Sequence, residues 1–126
     1  MLRDEIREAM SALQHAEGGR LLATFFFPPT FTGFQGHFPE HAVLPGVCTV
    51  QAVLVMLAAD RHSRVQLKQI TSAKFFAAAG PGEELRFDCR IQQPEAAPAV
   101  VKATVMRQDT KIADLSLKVA CGEPVP

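Results

Sequence analysis

The chain has 126 residues, a formal net charge of zero and 48% apolar residues, which fits one folded domain and excludes a disordered polar chain. With 13 basic against 13 acidic side chains, no charge excess points to nucleic acid or an anionic membrane as a partner. Three cysteines, Cys48, Cys89 and Cys121, do not make a disulfide framework and read as free thiols of a reducing compartment.

The chain is charged from Arg3 on, unlike a secretory leader. Its longest apolar run, Val50 to Ala59, is about half the roughly 20 residues of a membrane span and is interrupted by Gln51. A soluble, cytoplasmic protein is expected.

Leu2, Ile6, Met10 and Leu13 recur at helical spacing among charged residues. They predict a short amphipathic helix over about 2–14, ended by the glycines of "AEGG". "LLATFFF" is strand-prone and is stopped by Pro28 and Pro29. A loop rich in glycine and proline then runs to Gly46. From there to about residue 60 the chain is apolar almost all round, which predicts a buried helix. Asp60, Arg61, His62, Ser63 and Arg64 mark its exit.

The rest reads as strands. "VQLKQITSAKFF" comes first. Leu85, Phe87, Cys89 and Ile91 then alternate with charged residues at a period of two. Ala99, Val101, Ala103 and Val105 form the next strand, and Ala113, Leu115, Leu117 and Val119 the last. Short connections imply an antiparallel sheet with one face to bury, and the apolar helix is the element to cover it. The expectation is an α+β fold in a single domain over 1–126, with a curved antiparallel sheet wrapped around one long helix.

The chemistry concentrates in "GFQGHFPEHAVLPGV", Gly33 to Val47. His37 sits between residues that fix backbone shape, and histidine titrates near neutral pH and serves as a general base. A lone loop histidine is also often structural or solvated. His41 has no rigid neighbour and reads as exposed. Gly46 starts the helix, where unpaired N–H groups and the helix dipole favour a polarised carbonyl or oxyanion; a plain helix-start glycine is the alternative. Gln51 is the one long polar side chain between Val47 and Ala59. An unpartnered buried amide costs about 1–3 kcal/mol, so Gln51 faces a polar pocket or a subunit seam unless backbone groups satisfy it. Cys48 in the first turn reads as a small core residue rather than a nucleophile. His37, His41 and Cys48 lack zinc-type spacing, and no metal or cofactor is expected.

"FQGHFPEHAVLPGV" followed by a buried helix resembles the bacterial 3-hydroxyacyl-[acyl-carrier-protein] dehydratases, which have the hotdog fold. The matching residues are Gly36, His37, Phe38, Pro39, Pro45 and Gly46, and "AKFFAAAGPGEELRF" resembles the family's later strand-turn-strand. The resemblance spans about Leu21 to Val119. It implies a dimer in which a histidine and a helix carboxylate from opposite subunits remove the α-proton and expel the β-hydroxyl. His37 would then be the acid/base, Gly46 the N–H donor to the thioester carbonyl, and Phe38 and Val47 part of the substrate-binding wall. The family's carboxylate falls at Gln51, fourteen residues after His37.

Three positions depart from the family. Gln51 cannot exchange a proton at neutral pH, so ordinary dehydration would be weakened. Ala42 stands where proline is usual. "KFFAAAG" lacks the basic residues that many relatives carry there, leaving Arg61, Arg64 and Lys68 as alternative docking charges. The resemblance implies an acyl thioester on acyl carrier protein (or CoA) in fatty acid or polyketide-type synthesis. The chain would act as a homodimer, as an acyl thioesterase with Gln51 placing the water, or as a non-catalytic partner in a heterodimer with a complete dehydratase subunit.

Overall fold

The computed structural model describes residues 2–35, 42–92 and 97–124, with backbone alone for 123 and 124. Helix α1 (Leu2–Ala9) leads directly into strand β1 (Met10–Ala16). A turn through Gly18 and Gly19 closes the hairpin to β2 (Arg20–Phe26). A short 3-10 turn at Thr32–Phe34 precedes α2 (Gly46–Arg61), and β3 (Ser63–Phe75), β4 (Glu84–Gln92), β5 (Ala99–Arg107) and β6 (Thr110–Pro124) follow. The strands form one six-stranded antiparallel sheet in the order β1-β2-β4-β5-β6-β3. This is the α+β hotdog arrangement expected from the sequence.

The period-two pattern explains the core. Leu21, Ala23 and Phe25 of β2, Leu85, Phe87 and Cys89 of β4, Val101, Ala103 and Val105 of β5, and Leu115, Leu117 and Val119 of β6 all face inward and are buried. Their polar neighbours face outward, where Arg20 of β2 pairs with Asp88 of β4 at 2.9 Å. Helix α2 lies against the inner face, with Ala52, Val53, Met56 and Leu57 fully sealed. It is apolar all round because it is enclosed on several sides: α1 packs on it from beyond the sheet, with Ile6 at 0% exposure. Burial of side chains of this size contributes about 1.5–3 kcal/mol each.

Two readings are corrected here. The first helix ends at Ala9, not near residue 14, and the glycines of "AEGG" turn a hairpin rather than stop a helix. Gly18 and Gly19 both have positive φ, 74° and 71°, a backbone shape that glycine adopts without a Cβ clash. That turn brings residues 10–16 alongside β2, and ladder hydrogen bonds win over a helix too short to be stable alone. The three-residue repeat that looked helical has a local cause. Between Ser11 and Gln14, β1 advances three residues while β2 advances two, a β-bulge that includes Ala12 at φ 54°. Met10, Leu13 and Ala16 are therefore half-buried every third residue within a strand. In the second correction, β3 does not neighbour β4. It crosses to the far end of the sheet beside β6, while β4, β5 and β6 are sequential neighbours.

Candidate active site

The site is built around the start of α2. Pro45 is extended (φ −64°, ψ 144°), and no side chain caps the helix. Its carbonyl accepts the Cys48 N–H at 2.9 Å and, more weakly, the Thr49 N–H at 3.4 Å. Among the described residues the N–H groups of Gly46 and Val47 have no acceptor. They are the orphan donors of a helix start, at its positive end.

A groove of about 420 Å³ opens there, lined by Leu44, Gly46, Thr49, Phe75, Phe76 and Ile112 among others. It lies between residues 42–45 and the segment after β3. The Leu44 N–H donates to the Ala79 carbonyl at 2.7 Å and the Phe76 N–H to the Ile112 carbonyl at 2.8 Å, holding its two walls in place. Lys111 Nζ stands 5.8 Å from the Phe76 ring centre. The Phe75 ring rests on Gly46, where an added Cβ would come within 2.8 Å of Cζ. Glycine at 46 therefore answers a packing demand as well as leaving room for a ligand.

His37, Phe38 and His41 lie outside the described residues. The chain on either side of them is anchored. Phe31 and Phe34 are buried in a run of contacting rings, at 5.5 Å between the pair and 4.8 Å from Phe31 to Phe27. Gly33 is glycine because an added Cβ would meet the Phe31 ring and come within 3.0 Å of Cys48 Sγ. The Thr32 N–H donates to Glu5 at 3.1 Å, and the Thr32 side chain first, then this N–H, hold the carboxyl below its usual range.

Of the remaining candidates, Gly46 lines the groove, whereas Val47 and Gln51 are not among its lining residues. Gln51 lies about 140° around the helix from Gly46 and shares a face with Val47, four residues earlier. Val47 is 62% exposed and Gln51 half-buried. This face pairs an open apolar side chain with an amide. Cys48 is 1% exposed. Burial, and secondarily the Glu5 carboxylate, push its thiol up, which opposes a thiolate nucleophile and fits the small core residue read from the sequence. Among the described residues no three His, Cys, Asp or Glu side chains could share a metal ion, and no helix is long and apolar enough to cross a membrane.

Sequence reasoning passed over Thr49 and Gly33. Thr49 was visible as a second polar residue in the apolar run. The contacts of Phe75 and Gly33 join positions far apart in the chain and leave no local signal. Phe75 and Phe76 line the groove, while Phe25 is core and Phe26 is 49% exposed outside it.

Comparison with known proteins places this geometry among relatives. Residues 13–114 match the ApeI-like family, described as ApeI dehydratase. A 3-hydroxyacyl-[acyl-carrier-protein] dehydratase FabZ of Gluconobacter oxydans is 32% identical over 64% of this chain and 53% of its own length. The FabZ of Aromatoleum aromaticum is 34% identical over 64% of this chain and 63% of its own. The chain thus spans less than two thirds of these curated relatives. The solved dehydratase heterocomplex ApeI:P from Xenorhabdus doucetiae superimposes with a TM-score of 0.71 at 20% identity, covering 90% of this chain and 96% of that one, a likeness of fold.

Proposed function

The chain belongs to the ApeI-like dehydratase family, and on that footing we propose that it processes 3-hydroxyacyl thioesters at the N-terminal end of α2. The observation that carries the reading is the helix start itself. Two N–H donors without acceptors among the described residues open beside a groove that is apolar but for Thr49. Such a groove takes an acyl chain, and such donors take the negative charge that builds on a thioester carbonyl when the α-proton leaves.

His37 removes that α-proton. The C–H electron pair moves into the bond between the α-carbon and the carbonyl carbon, and the carbonyl π pair moves onto oxygen, which the Gly46 N–H stabilises. As the carbonyl re-forms, the pair between those two carbons moves into the α–β bond, and the β-hydroxyl leaves with a proton as water. Gln51 cannot supply that proton, so it orients the hydroxyl or a water, and His37 returns the proton it took. Phe38 and Val47 complete the substrate wall. The carrier is an acyl carrier protein, as in the names of the FabZ relatives, or CoA. The chain works as one domain in the cytoplasm, without cofactor.

The face shared by Val47 and Gln51 supports a subunit seam, since an exposed valine beside a half-buried amide suits cover by a second protomer. A copy of this chain would bring a second glutamine. A related dehydratase subunit would bring a carboxylate and complete the acid/base pair. The heterocomplex of the ApeI:P relative favours keeping this second reading. A thioesterase, with Gln51 positioning water on the carbonyl, uses the same groove.

The deciding assay measures hydration, dehydration and hydrolysis of short 3-hydroxyacyl and acyl thioesters by the wild type and by His37→Ala. His37-dependent turnover is expected. No His37 dependence in any of the three contradicts the enzyme reading. Activity that appears only on mixing with a carboxylate-bearing homologue establishes the heterodimer.

A further inference from the structure

The groove at the start of α2 holds one hydrogen-bonding side chain with no assigned task. Thr49 is 3% exposed and lines the same groove as Gly46, three residues earlier on the same side of the helix. The other groove residues, Val43, Leu44, Phe75, Phe76, Ala77 to Ala79 and Ile112, carry apolar side chains. No side-chain hydrogen bond among the described residues involves the Thr49 hydroxyl, and the nearby Pro45 carbonyl already receives two backbone N–H groups. A threonine hydroxyl that lines an apolar groove has its donor available to a ligand there.

The direction of the side chain supplies the rest. Side chains on a helix lean toward its N-terminus, over the preceding turn. The Thr49 side chain therefore leans toward the end of the helix where the Gly46 and Val47 N–H groups lack acceptors. Gln51 and Val47 are turned to another face and cannot serve this groove within one protomer.

We propose that the Thr49 hydroxyl donates a second hydrogen bond to the carbonyl oxygen of a bound acyl thioester, beside the Gly46 N–H. This rests on the acyl-thioester reading and assigns a further residue to it. When the α-proton is removed, the carbonyl π pair shifts onto oxygen, and two donors then face one developing oxyanion. When that pair returns, the β-hydroxyl is expelled, and Thr49 has neither gained nor lost a proton. A donor aimed at charge that develops during reaction lowers the barrier more than it tightens binding.

The test uses the whole purified protein as wild type, Thr49→Val and Thr49→Ser, with folding checked by circular dichroism. Valine keeps the volume and removes the hydroxyl, and serine keeps the hydroxyl. Two probes measure binding: butyryl-pantetheine, a thioester that cannot be dehydrated, and the thioether of equal length, which has no carbonyl. Turnover is read with 3-hydroxybutyryl-pantetheine. Thr49→Val is expected to weaken butyryl-pantetheine binding about fivefold and leave thioether binding unchanged. It should lower kcat at least about tenfold with a smaller change in KM, and Thr49→Ser should restore most of both. Thr49-dependent binding in a protein that turns nothing over keeps this assignment and removes the dehydratase reading. The assignment is overturned if Thr49→Val changes neither carbonyl binding nor kcat, if it weakens the thioether equally, or if the wild type binds neither probe.

Discussion

The two ends of α2 are finished in opposite ways. Its C-terminal end carries Arg61 and His62, and His62 closes the helix in a left-handed conformation (φ 51°), donating its N–H to the Ala58 carbonyl. Arg64 follows, exposed. This end is closed by its own backbone, with Arg61 against the negative end of the dipole, although among the described residues Arg61 Nε and the Ser63 hydroxyl are buried there without a partner. The N-terminal end has no side-chain cap and no acid in its first turn. Around it stand large apolar side chains left open: Val47 at 62%, Phe76 at 56% and Phe75 at 49% exposure. Between the ends, residues 52–57 are sealed. One helix thus contains a backbone-capped terminus, a core segment and a terminus whose backbone donors and apolar surface lack partners within the protomer's described residues. Scattered apolar side chains on a surface need no explanation, but a cluster beside uncapped N–H groups does. The difference supports the proposed site at the uncapped end.

Substitutions along α2 should separate its three parts. The largest effect belongs to the sealed middle. Leu57→Ala should cost about 2–5 kcal/mol, read as a lower urea midpoint at unchanged slope. A loss below about 1 kcal/mol would show that the middle is not core.

Gly46→Ala comes next and divides the two explanations of that glycine. Alanine favours a helix over glycine by about 0.8–1 kcal/mol, and the half-exposed Phe75 ring can swing away from the new Cβ. Stability should change little while thioester turnover falls at least about tenfold, because the methyl group crowds the Gly46 N–H. Unchanged turnover would reduce Gly46 to a packing glycine.

At the opposite end, His62→Gly should stabilise by about 1 kcal/mol, since a non-glycine residue in the left-handed region carries a penalty of that order. It should leave turnover unaltered. An activity loss there would break the contrast between the ends.

Thiol labelling offers a smaller and sharper check. Burial, with a lesser contribution from Asp88, pushes the Cys89 thiol up to about 12, burial likewise raises Cys48, and Cys121 is exposed. At neutral pH the folded protein should label quickly at Cys121 alone, and all three cysteines should label after denaturation. Fast labelling of Cys48 in the folded state would show that the first turn of α2 is open.

The smallest effect concerns Glu5. Its pKa is lowered in the fold by the Thr32 side chain and, second, by the Thr32 N–H. Its contribution is therefore complete above the unfolded value and fades as pH falls through the lower folded value. Glu5→Gln should flatten the acid limb of the urea midpoint against pH slightly, and an unchanged limb would remove this tie between α1 and the turn before residues 36–41.

The parts of the molecule that were legible in the sequence are those governed by local period. Alternation in 85–91, 99–105 and 113–119 gave β4, β5 and β6, and the nearly continuous apolar run gave α2 within a residue of its observed ends. What failed was β1, where a bulge imitates helical spacing, and the crossing of β3 to the far edge, which depends on pairing partners 38 or more residues away. At the site, Gly46 and Gln51 could be singled out from chain order alone. That they face different ways follows from helical geometry, but the Phe75 ring over Gly46 and the bare Thr49 hydroxyl beside it depend on tertiary packing.

The central claim is that the open end of α2 is a dehydratase site lacking only the helix carboxylate, and Gln51→Glu tests it most directly. Dehydration of a 3-hydroxyacyl thioester is measured for the purified wild type and variant across pH 6–9. General acid–base groups contribute about 10²–10⁴ in rate, so a rise of at least about 100-fold that depends on His37 is the expected result. An unchanged rate in a folded Gln51→Glu variant would contradict the account.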